Sequence, residues 1–421
     1  MKRIHFIGIG GVGMNGLAQL AVQSGYAVTG SDRAYKPQIG VFELLEAMGI
    51  QIFPQDGSGI DEQTDQVVFS TAIEADNPDL KKAEKHNISL LHRAAFLDQL
   101  IGDTPLIAVA GTAGKTTTTG ILGWIFECLG KDPSVYNGAA ILNWKNKTTL
   151  GNVRKGNAPL WIIEADESDR SFLRFHPTHA IITNISKDHY ELDELHQMFD
   201  QFRSQIKQHI IEGSSEISQK EQSFIFENVE FTVPLQGKHN IQNAHAAVAL
   251  CHQLGFNLHA VRTALAQFKG IERRLETVGE IDGVRIIDDY AHNPAKIAAA
   301  LEAASAATAG DLHAYWRPHG FTPLHQNLPE LIDIFTRHWK KNGGTLFILP
   351  VFYAGGTTQK KTTSNDLVAA LHRKGVPANL VVGYDQLRCA LHEIMKPEDT
   401  ILGMGARDPQ LPIFAQELLE L

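Results

Sequence analysis

Residues 106–117 read LIAVAGTAGKTT, an apolar run followed by a glycine-rich turn and the start of a helical pattern. The apolar run predicts a buried β-strand, and the glycines predict a tight turn into a helix. Backbone N–H groups in such a turn, together with the helix dipole, bind phosphate. The sequence therefore predicts an ATP site in which Lys115 offsets phosphate charge. The residues predicted to contact ATP in this stretch are Gly111, Thr112, Gly114, Lys115, Thr116 and Thr117.

This turn is a variant of the P-loop pattern GxxxxGK[ST], because Val109 stands where the first glycine belongs. Thr116 occupies the position of the hydroxyl that normally holds magnesium. A glycine-rich turn with a solvated lysine is the alternative interpretation. The agreement of strand, turn and helix favours ATP binding.

Carboxylates follow a later apolar strand, where residues 164–169 read EADESD. Ligand sites of α/β proteins form at the carboxyl ends of strands, and carboxylate oxygens suit magnesium. Residues 183–189 read TNISKDH and follow another strand in the same way. A solvated acidic turn is the alternative, which the nearby phosphate loop disfavours. The predicted metal ligands are Thr116, Glu164 and His189.

The chain begins with a short apolar strand and the glycine pattern Gly8-x-Gly10-x-x-Gly13, followed by Asp32 about twenty residues later. This pattern matches a dinucleotide fingerprint, which binds a diphosphate and a ribose. The pattern alone does not distinguish NAD from another nucleotide diphosphate, and it is also compatible with a simple tight turn.

Strands and helices alternate along the whole chain of 421 residues, with loop-like interruptions near residues 102–105 and 270–274. We therefore predict an α/β protein of three domains, spanning residues 1–102, 103–272 and 273–421. The first and third are expected to be Rossmann-like, and the central one P-loop ATPase-like.

The composition excludes several classes of protein. The formal charge of -9 opposes a phosphate-tracking nucleic-acid surface, so no nucleic-acid partner is expected. Three cysteines without a CxxC pair disfavour a disulfide framework and a cysteine zinc site, and fit a reducing cytoplasm. No apolar span reaches the roughly 18 residues of a membrane helix, so no membrane association is expected.

Seven motifs together resemble the Mur ligase family in order and spacing, over nearly the whole chain. They are GIGGVGMNGLA, GTAGKTTTT, EADESDRSFL, TNISKDH, GKHNIQNAHAA, ERRLE and DDYAHNP. The resemblance implies an ATP- and Mg²⁺-dependent ligase of peptidoglycan synthesis. It also implies that the first domain binds a UDP-sugar, the central domain ATP, and the third domain an amino acid together with ATP.

The resemblance also implies site residues. Expected UDP-sugar contacts are Gly10, Gly11, Gly13, Asp32, Ser70, Thr71, Ala72 and Arg93. Further ATP contacts are expected at His239, Asn240, Asn243, Arg274 and Asp289. The residues expected to take part in catalysis are Lys115, His189, Arg274 and His292.

Within the family, the opening glycines and EADESD most resemble the members that add L-alanine to UDP-N-acetylmuramate. The implied reaction is attack of a lactyl carboxylate on the ATP γ-phosphate, giving an acyl phosphate that an amine displaces. Ala113 stands where the family loop usually has histidine, and residues 318–323 read PHGFTP where alanine-adding members have PHRxxR. Acceptor recognition is then expected from Arg317, His319, Tyr290 or His292, or the acceptor differs.

Residues 141–144, ILNW, are similar to the recycling ligase that attaches a tripeptide to UDP-N-acetylmuramate, and this activity is the second candidate function. A Mur-type ligase with a different acceptor, a NAD-type oxidoreductase and a non-catalytic nucleotide-binding relative are further candidates. The expected partners are a UDP-N-acetylmuramate-type substrate and an amino acid or short peptide. A cytoplasmic monomer or weak dimer is expected.

Overall fold

The chain folds into three α/β parts, each built on a largely parallel sheet, which confirms the predicted fold class. Backbone contacts divide it into two compact units, Met1–Pro234 with His239–Ile271 and Leu235–Lys238 with Glu272–Leu421. The first unit contains the first two large sheets. Among the described residues, no helix is long and apolar enough to cross a bilayer. The computed structural model describes residues 1–37, 40–186, 190–213, 217, 219–220, 222–353 and 361–420.

The first sheet is parallel throughout. Its strands are β1 (Arg3–Ile7), β2 (Ala27–Ser31), β3 (Gln51–Phe53), β4 (Gln66–Phe69) and β5 (Ser89–His92). Its helices are α1 (Val12–Gln23), α2 (Gly40–Ala47), α3 (Pro78–Lys85) and α4 (Arg93–Ile101). The strand order β3-β2-β1-β4-β5 reverses direction between β1 and β4, and doubly wound sheets bind ligands at such a point. Phe6 and Phe96 pack edge to face beneath the sheet, with ring centroids 5.4 Å apart.

The second sheet is parallel except for its edge strand β8, which pairs antiparallel with β7. Its order is β11-β10-β6-β9-β7-β8. The strands are β6 (Leu106–Ala110), β7 (Ser134–Tyr136), β8 (Val153–Arg154), β9 (Trp161–Glu164), β10 (His179–Ile182) and β11 (Ile210–Glu212). The helices around it are α5 (Lys115–Cys128), α6 (Leu192–Ser204) and the 3-10 helix Ser171–Arg174. The fully buried strand β6 lies between β10 and β9, so the turn that follows it stands beside the ends of both neighbours.

A small antiparallel sheet and two further helices complete the first unit. Its strands are β12 (Gln219–Lys220), β13 (Ser223–Phe226) and β14 (Val229–Thr232), and the helices are α7 (Lys238–Gln253) and α8 (Leu258–Ala266). The rings of Phe224 and Phe226 contact His245 on α7, which joins this small sheet to the helix.

The third sheet is parallel except for the hairpin that begins it. The strands are β15 (Glu276–Ile281), β16 (Val284–Asp289), β17 (Leu312–Arg317), β18 (Leu346–Ile348), β19 (Ala378–Leu380) and β20 (Thr400–Gly405), in the order β15-β16-β20-β17-β18-β19. The helices are α9 (Pro294–Ala306), α10 (Phe321–Lys341), α11 (Ser364–Arg373), α12 (Tyr384–Ile394), α13 (Gln410–Glu417) and the 3-10 helix Leu418–Glu420. Apolar layers cover both faces, one under α9 to α11 and the other under α12 and α13.

Asp399 joins the amino ends of the central strands in the third sheet. Its buried carboxylate accepts the N–H groups of Asp311 and Lys396, each at 2.8 Å. His313 at the start of β17 lies 3.3 Å from the same carboxylate. The N–H of Thr345 donates to Nδ1 of His313 at 3.2 Å, so the ring proton is on Nε2 and points to Asp399. Three strand ends therefore share one buried anion.

Replacing Asp399 by alanine is expected to lower the free energy of unfolding by about 3 kcal/mol, because three donors lose their acceptor in a buried place. Catalytic rate should not change in the folded protein, because these contacts lie at the amino ends of the strands, opposite the ligand-binding edge. Urea unfolding followed by circular dichroism measures the loss. Glu393→Ala, an exposed carboxylate on α12, is the control. Equal unfolding midpoints for the two variants would contradict this role of Asp399.

Candidate active site

The predicted phosphate-binding turn, residues 111–114, connects β6 to α5. Gly111 has a φ of +132° and Gly114 a φ of +85°, which L side chains rarely adopt. A Cβ atom at Gly111 would lie 2.1 Å from Oγ1 of Thr183, and one at Gly114 would lie 2.3 Å from Oδ1 of Asn243. Both positions therefore require glycine, and the turn places the amino end of α5 at the carboxyl edge of the sheet.

Asn184, which follows β10, fixes the conformation of this turn. Its Oδ1 accepts from the hydroxyl of Thr112 at 2.6 Å and from the N–H of Ala113 at 3.1 Å. Its amide nitrogen donates to the carbonyl of Ala113 at 2.8 Å, and Thr183 donates to the same carbonyl at 2.6 Å. The sequence analysis did not identify Asn184 as a site residue. Its position directly after an apolar strand was the available signal.

Lys115 is surrounded by carboxylates. Its Nζ lies 2.5 Å from Oε2 of Glu167 and donates to the carbonyl of Gly111 at 2.8 Å. Only 12% of the Lys115 side chain and 3% of the Glu167 side chain are exposed. Burial opposes charge on the lysine, but Glu167, Asp166 and Glu164 outweigh this effect and raise the pKa of Lys115. The side chain is therefore an ammonium ion at neutral pH, held at the phosphate turn.

Thr116 and Glu164 place two side-chain oxygen atoms close together beside Lys115. The hydroxyl of Thr116 donates to Oε1 of Glu164 at 3.0 Å. The other carboxylate oxygen accepts the N–H of Gly138 at 2.7 Å, which fixes the orientation of the carboxylate. Thr117, the next residue, is buried in the first turn of α5. Two of the three predicted metal ligands are therefore adjacent, and the third, His189, lies outside the described residues.

The glycine turn of the first sheet lies at the carboxyl end of β1. Gly8 has a φ of +74°, and the N–H of Gly11 closes the turn on its carbonyl at 3.1 Å. Asp32 accepts the N–H of Gly10 at 2.9 Å and that of Ala34 at 2.8 Å. In this structure Asp32 therefore holds the turn, in addition to the ribose contact that the sequence predicts.

The predicted residues Ser70, Thr71 and Ala72 follow β4, the strand next to β1 on the side where the strand order reverses. Ser70 is half-buried, whereas Thr71 and Ala72 are exposed. The Cδ1 atom of Ile73 approaches to 3.4 Å of the Cβ position at Gly8. The two predicted UDP-binding segments therefore lie side by side.

Arg93, at the start of α4, connects the glycine turn with the acidic segment of the second sheet. Its guanidinium lies 3.0 Å from Asp166 and 2.8 Å from Asp169. Burial opposes charge on Arg93, but the neighbouring Tyr136 and these carboxylates raise its pKa. The hydroxyl of Tyr136 donates to the carbonyl of Gly13 at 3.1 Å. The structure thus brings the predicted UDP and ATP sites together within one unit.

The three predicted ATP contacts on α7 differ from one another in burial. Asn243 is buried against Gly114 of the phosphate turn, and its amide nitrogen donates to Oδ1 of Asn240 at 3.1 Å. Asn240 is also buried, whereas His239 is exposed at the start of the helix. Asn243 therefore determines how closely α7 approaches the turn.

The remaining predicted residues, Arg274, Asp289 and His292, belong to the second unit. Asp289 ends β16 and accepts the N–H groups of Leu275 and Ala291, each at 2.7 Å. Burial raises the pKa of Asp289 to about 6, although Arg274 and the two N–H donors oppose the shift. The guanidinium of Arg274 lies over the ring of Tyr290, 5.4 Å from its centroid.

Of the four acceptor-recognition candidates, two are uncharged histidines. Nδ1 of His292 lies 2.9 Å from the carbonyl of Tyr290, so it carries the proton and Nε2 has a free lone pair. Burial lowers the pKa of His292 to about 3. Its ring meets that of His319 edge to face, with centroids 4.9 Å apart. Arg317, in contrast, pairs with Asp408 at 2.5 Å and donates to the carbonyl of Pro350, so its charge is already neutralised.

Three family profiles match this chain in succession. The Mur ligase family catalytic domain matches residues 3–104, the Mur ligase middle domain residues 109–216, and the Mur ligase glutamate ligase domain residues 273–407. This chain belongs to the Mur ligase family. Mur ligases are ATP-dependent ligases, which agrees with a phosphate turn that holds a buried lysine.

Relatives of this Mur ligase align over nearly its full length. A UDP-N-acetylmuramate–L-alanine ligase of Roseobacter denitrificans is 34% identical and covers 96% of the chain and 93% of its own length. A UDP-N-acetylmuramate–L-alanine ligase of Myxococcus xanthus is 30% identical, and the alignment covers 100% of this chain and 95% of the relative.

Solved structures support the same fold. UDP-N-acetylmuramate–alanine ligase of Thermotoga maritima superposes with a TM-score of 0.83 at 24% identity, covering 100% of this chain and 99% of its own. A murein peptide ligase of Psychrobacter arcticus gives a TM-score of 0.69 at 22% identity, and the superposition covers 100% of this chain and 98% of the other. Three-domain Mur ligase architecture is therefore common to all three proteins.

Asn184→Ala is expected to weaken ATP binding about tenfold, because the phosphate turn loses three hydrogen bonds that fix its conformation. The fold should persist, because the side chain is exposed. Calorimetric titration with ATP and Mg²⁺ measures the effect. Asn157→Ala, which removes a hydrogen-bonded surface asparagine elsewhere in the same unit, is the matched control. Unchanged ATP affinity in Asn184→Ala would show that the turn does not need this support.

Asp289 should make stability depend on pH. Its folded pKa of about 6 exceeds the ordinary value of 3.8, so its protonated form stabilises the fold fully below about pH 4. This contribution, about 3 kcal/mol, is lost as the pH rises through 6. Between pH 4 and 7, the unfolding free energy of wild type should fall by about this amount relative to that of Asp289→Asn. Parallel profiles would disprove the raised pKa.

Proposed function

We propose that this chain joins L-alanine to UDP-N-acetylmuramate, using ATP and an acyl phosphate intermediate. The observation that carries the proposal is the buried ammonium of Lys115 among three carboxylates, in the same unit as a glycine turn suited to a nucleotide diphosphate. The names of the relatives, at 30–34% identity over nearly full length, support L-alanine as the acceptor.

The phosphates of ATP would bind at the turn and the amino end of α5. Asn184 already occupies the N–H groups of Thr112 and Ala113, so the N–H groups from Gly114 onward would face the phosphates. Lys115 would exchange part of its contact with Glu167 for a phosphate oxygen, as charge neutralisation in phosphoryl transfer requires. Asn240, Asn243 and His239 of α7 would hold the nucleotide base.

The residues present fit a magnesium ion. A hydroxyl and a carboxylate oxygen, those of Thr116 and Glu164, lie 3.0 Å apart beside the phosphate turn, and Mg²⁺ prefers such hard oxygen ligands. We propose that these two residues hold it, with His189 as the third ligand. When bound, the ion would supply further positive charge to the phosphate oxygens. Gly138 would keep Glu164 in place by its N–H.

The nucleotide sugar would bind where the strand order of the first sheet reverses. The turn that contains Gly10, Gly11 and Gly13 would bind its diphosphate, and Ser70 to Ala72 follow the neighbouring strand. Arg93 would complete the pocket near Gly13. Its pairing with Asp166 and Asp169 supports a shared boundary between this pocket and the ATP site.

In the proposed reaction, a lactyl carboxylate oxygen attacks the γ-phosphorus of ATP, and the bond from this phosphorus to ADP breaks. The amine of L-alanine then attacks the acyl carbon, inorganic phosphate leaves, and the amine loses a proton. Nε2 of His292 would accept a hydrogen bond from this amine and orient it, because Nδ1 is committed as a donor to Tyr290 and the ring is neutral. The proton of the amine would pass to solvent. Arg274 and Asp289 of the same unit would bind ATP.

The domain boundaries belong to the same proposal. We infer a UDP-sugar domain over residues 1–102, an ATP domain over 103–272 and an amino-acid and ATP domain over 273–421. ATP and nucleotide sugars are cytoplasmic substrates, so we also infer a cytoplasmic enzyme. Because each substrate pocket is assigned to residues of one chain, a monomer or weak dimer would suffice.

Phosphate release with ATP, Mg²⁺ and UDP-N-acetylmuramate tests the proposal, with L-alanine, L-serine, glycine and the muropeptide tripeptide as separate acceptors. L-alanine should give the highest kcat/KM, and Lys115→Ala should lower it about 100-fold or more, because the main phosphate cation is lost. Lys147→Ala, an exposed lysine of the same unit, is the control.

Lys115→Ala leaves Glu167 buried without its cation, so the double variant Lys115→Ala/Glu167→Gln should be inactive while keeping the wild-type melting temperature. Release only with the tripeptide would replace the proposal by the recycling function. No release with any acceptor would overturn a ligase of this substrate class.

A further inference from the structure

Two arginines at the carboxyl edge of the third sheet are already neutralised by carboxylates. Arg273 pairs with Asp288 at 2.9 Å and donates to the carbonyl of Gly405 at 2.7 Å. Arg317 pairs with Asp408 at 2.5 Å. These contacts belong to the framework of the edge and leave little charge for a ligand.

Arg407 differs from these arginines. It follows β20 with a φ of +65°, and its side chain is exposed. Within the part of the chain that the structure describes, it has no hydrogen bond or ion pair. The next residue, Asp408, is buried and bonded to Arg317, so the backbone at Arg407 is held in place although its side chain is not.

Strand register places Arg407 beside His319. Arg317 at the end of β17 pairs with Gly405 at the end of β20. His319 and Arg407 each follow two residues after these paired strand ends, so both lie beyond the same edge of the sheet. Burial, followed by the charges of Arg407 and Lys296, lowers the pKa of His319 to about 4. The effect of Arg407 on this group agrees with the register.

The neighbouring imidazoles are neutral at pH 7, because burial holds the pKa of His292 near 3 and that of His319 near 4. They supply hydrogen-bonding nitrogens without adding charge. Arg407 therefore adds a positive charge near His319, at the same edge of the sheet as the imidazole of His292. A free amino acid has a carboxylate one carbon away from its amine, and a guanidinium binds a carboxylate through two parallel hydrogen bonds.

We propose that Arg407, beside His319, binds the α-carboxylate of the amino acid that this ligase adds. The proposal rests on the proposed function, because it requires an amino-acid acceptor. Arg407 selects acceptors by their carboxylate, while His292 orients the amine through a hydrogen bond to Nε2. No additional bond is made or broken in this role.

Kinetics with L-alanine and L-alaninamide test the proposal, because the amide lacks the carboxylate charge. Wild type should prefer L-alanine, and Arg407→Ala should raise KM for L-alanine about tenfold to 100-fold. KM for ATP should stay within about twofold, and KM for L-alaninamide should not change, because neither depends on this guanidinium. Arg407→Lys should retain part of the preference. Arg373→Ala, an exposed arginine on α11, is the control.

A second variant distinguishes lost charge from lost structure. Gly320 directly follows His319 and precedes α10, so Gly320→Arg returns a guanidinium to the same edge. In the Arg407→Ala background it should restore a preference for L-alanine over L-alaninamide. If Arg407→Ala keeps the wild-type ratio of the two acceptors, the proposal is wrong and the proposed function stands. If wild type uses no amine at all, the proposed function itself fails.

Discussion

A buried ammonium ion compensated by carboxylates is the interaction on which the first unit depends. Lys115 has little solvent to stabilise its charge, so the chain supplies Glu167, Asp166 and the carbonyl of Gly111 around it. This requirement explains why β6 and β9 are neighbours, since the lysine follows one strand and the acids follow the other. A phosphate turn that already holds its cation in place needs little reorganisation when an anionic nucleotide arrives.

Polar contacts join the first and second sheets, in addition to the apolar core that the two sheets share. Asp166 reaches Arg93 of the first sheet, and Asn152 of the second sheet donates to the carbonyl of Val12 and to Asn15 on α1. Buried polar contacts of this kind require defined geometry, because an unpaired group would cost about 1–3 kcal/mol. The glycine turn of the first sheet is thereby held at a fixed distance from the phosphate turn, as the proposed transfer between two bound substrates would require.

The sequence was most informative where local pattern and burial agree. The apolar runs at β1, β6 and β9 predicted their strands because these strands are buried on both faces, and glycines marked the turns where positive φ is needed. The strand β17 was not predicted, since its residues LHAYWR mix polar and aromatic side chains. His313 is tolerated in that strand only because Asp399, distant in sequence, pairs with it. Asn184 was missed for the same reason, because its partners at the phosphate turn are about seventy residues earlier in the chain.

An isotope-transfer experiment tests the proposed acyl phosphate intermediate most directly. UDP-N-acetylmuramate labelled with oxygen-18 in its lactyl carboxylate is incubated with ATP, Mg²⁺ and L-alanine, and the released phosphate is examined by phosphorus NMR. An acyl phosphate intermediate requires one labelled oxygen to pass into inorganic phosphate in each turnover, because the carboxylate oxygen that attacks phosphorus leaves with it. Phosphate that contains no label, formed together with the amide product, would contradict activation of the carboxylate as an acyl phosphate.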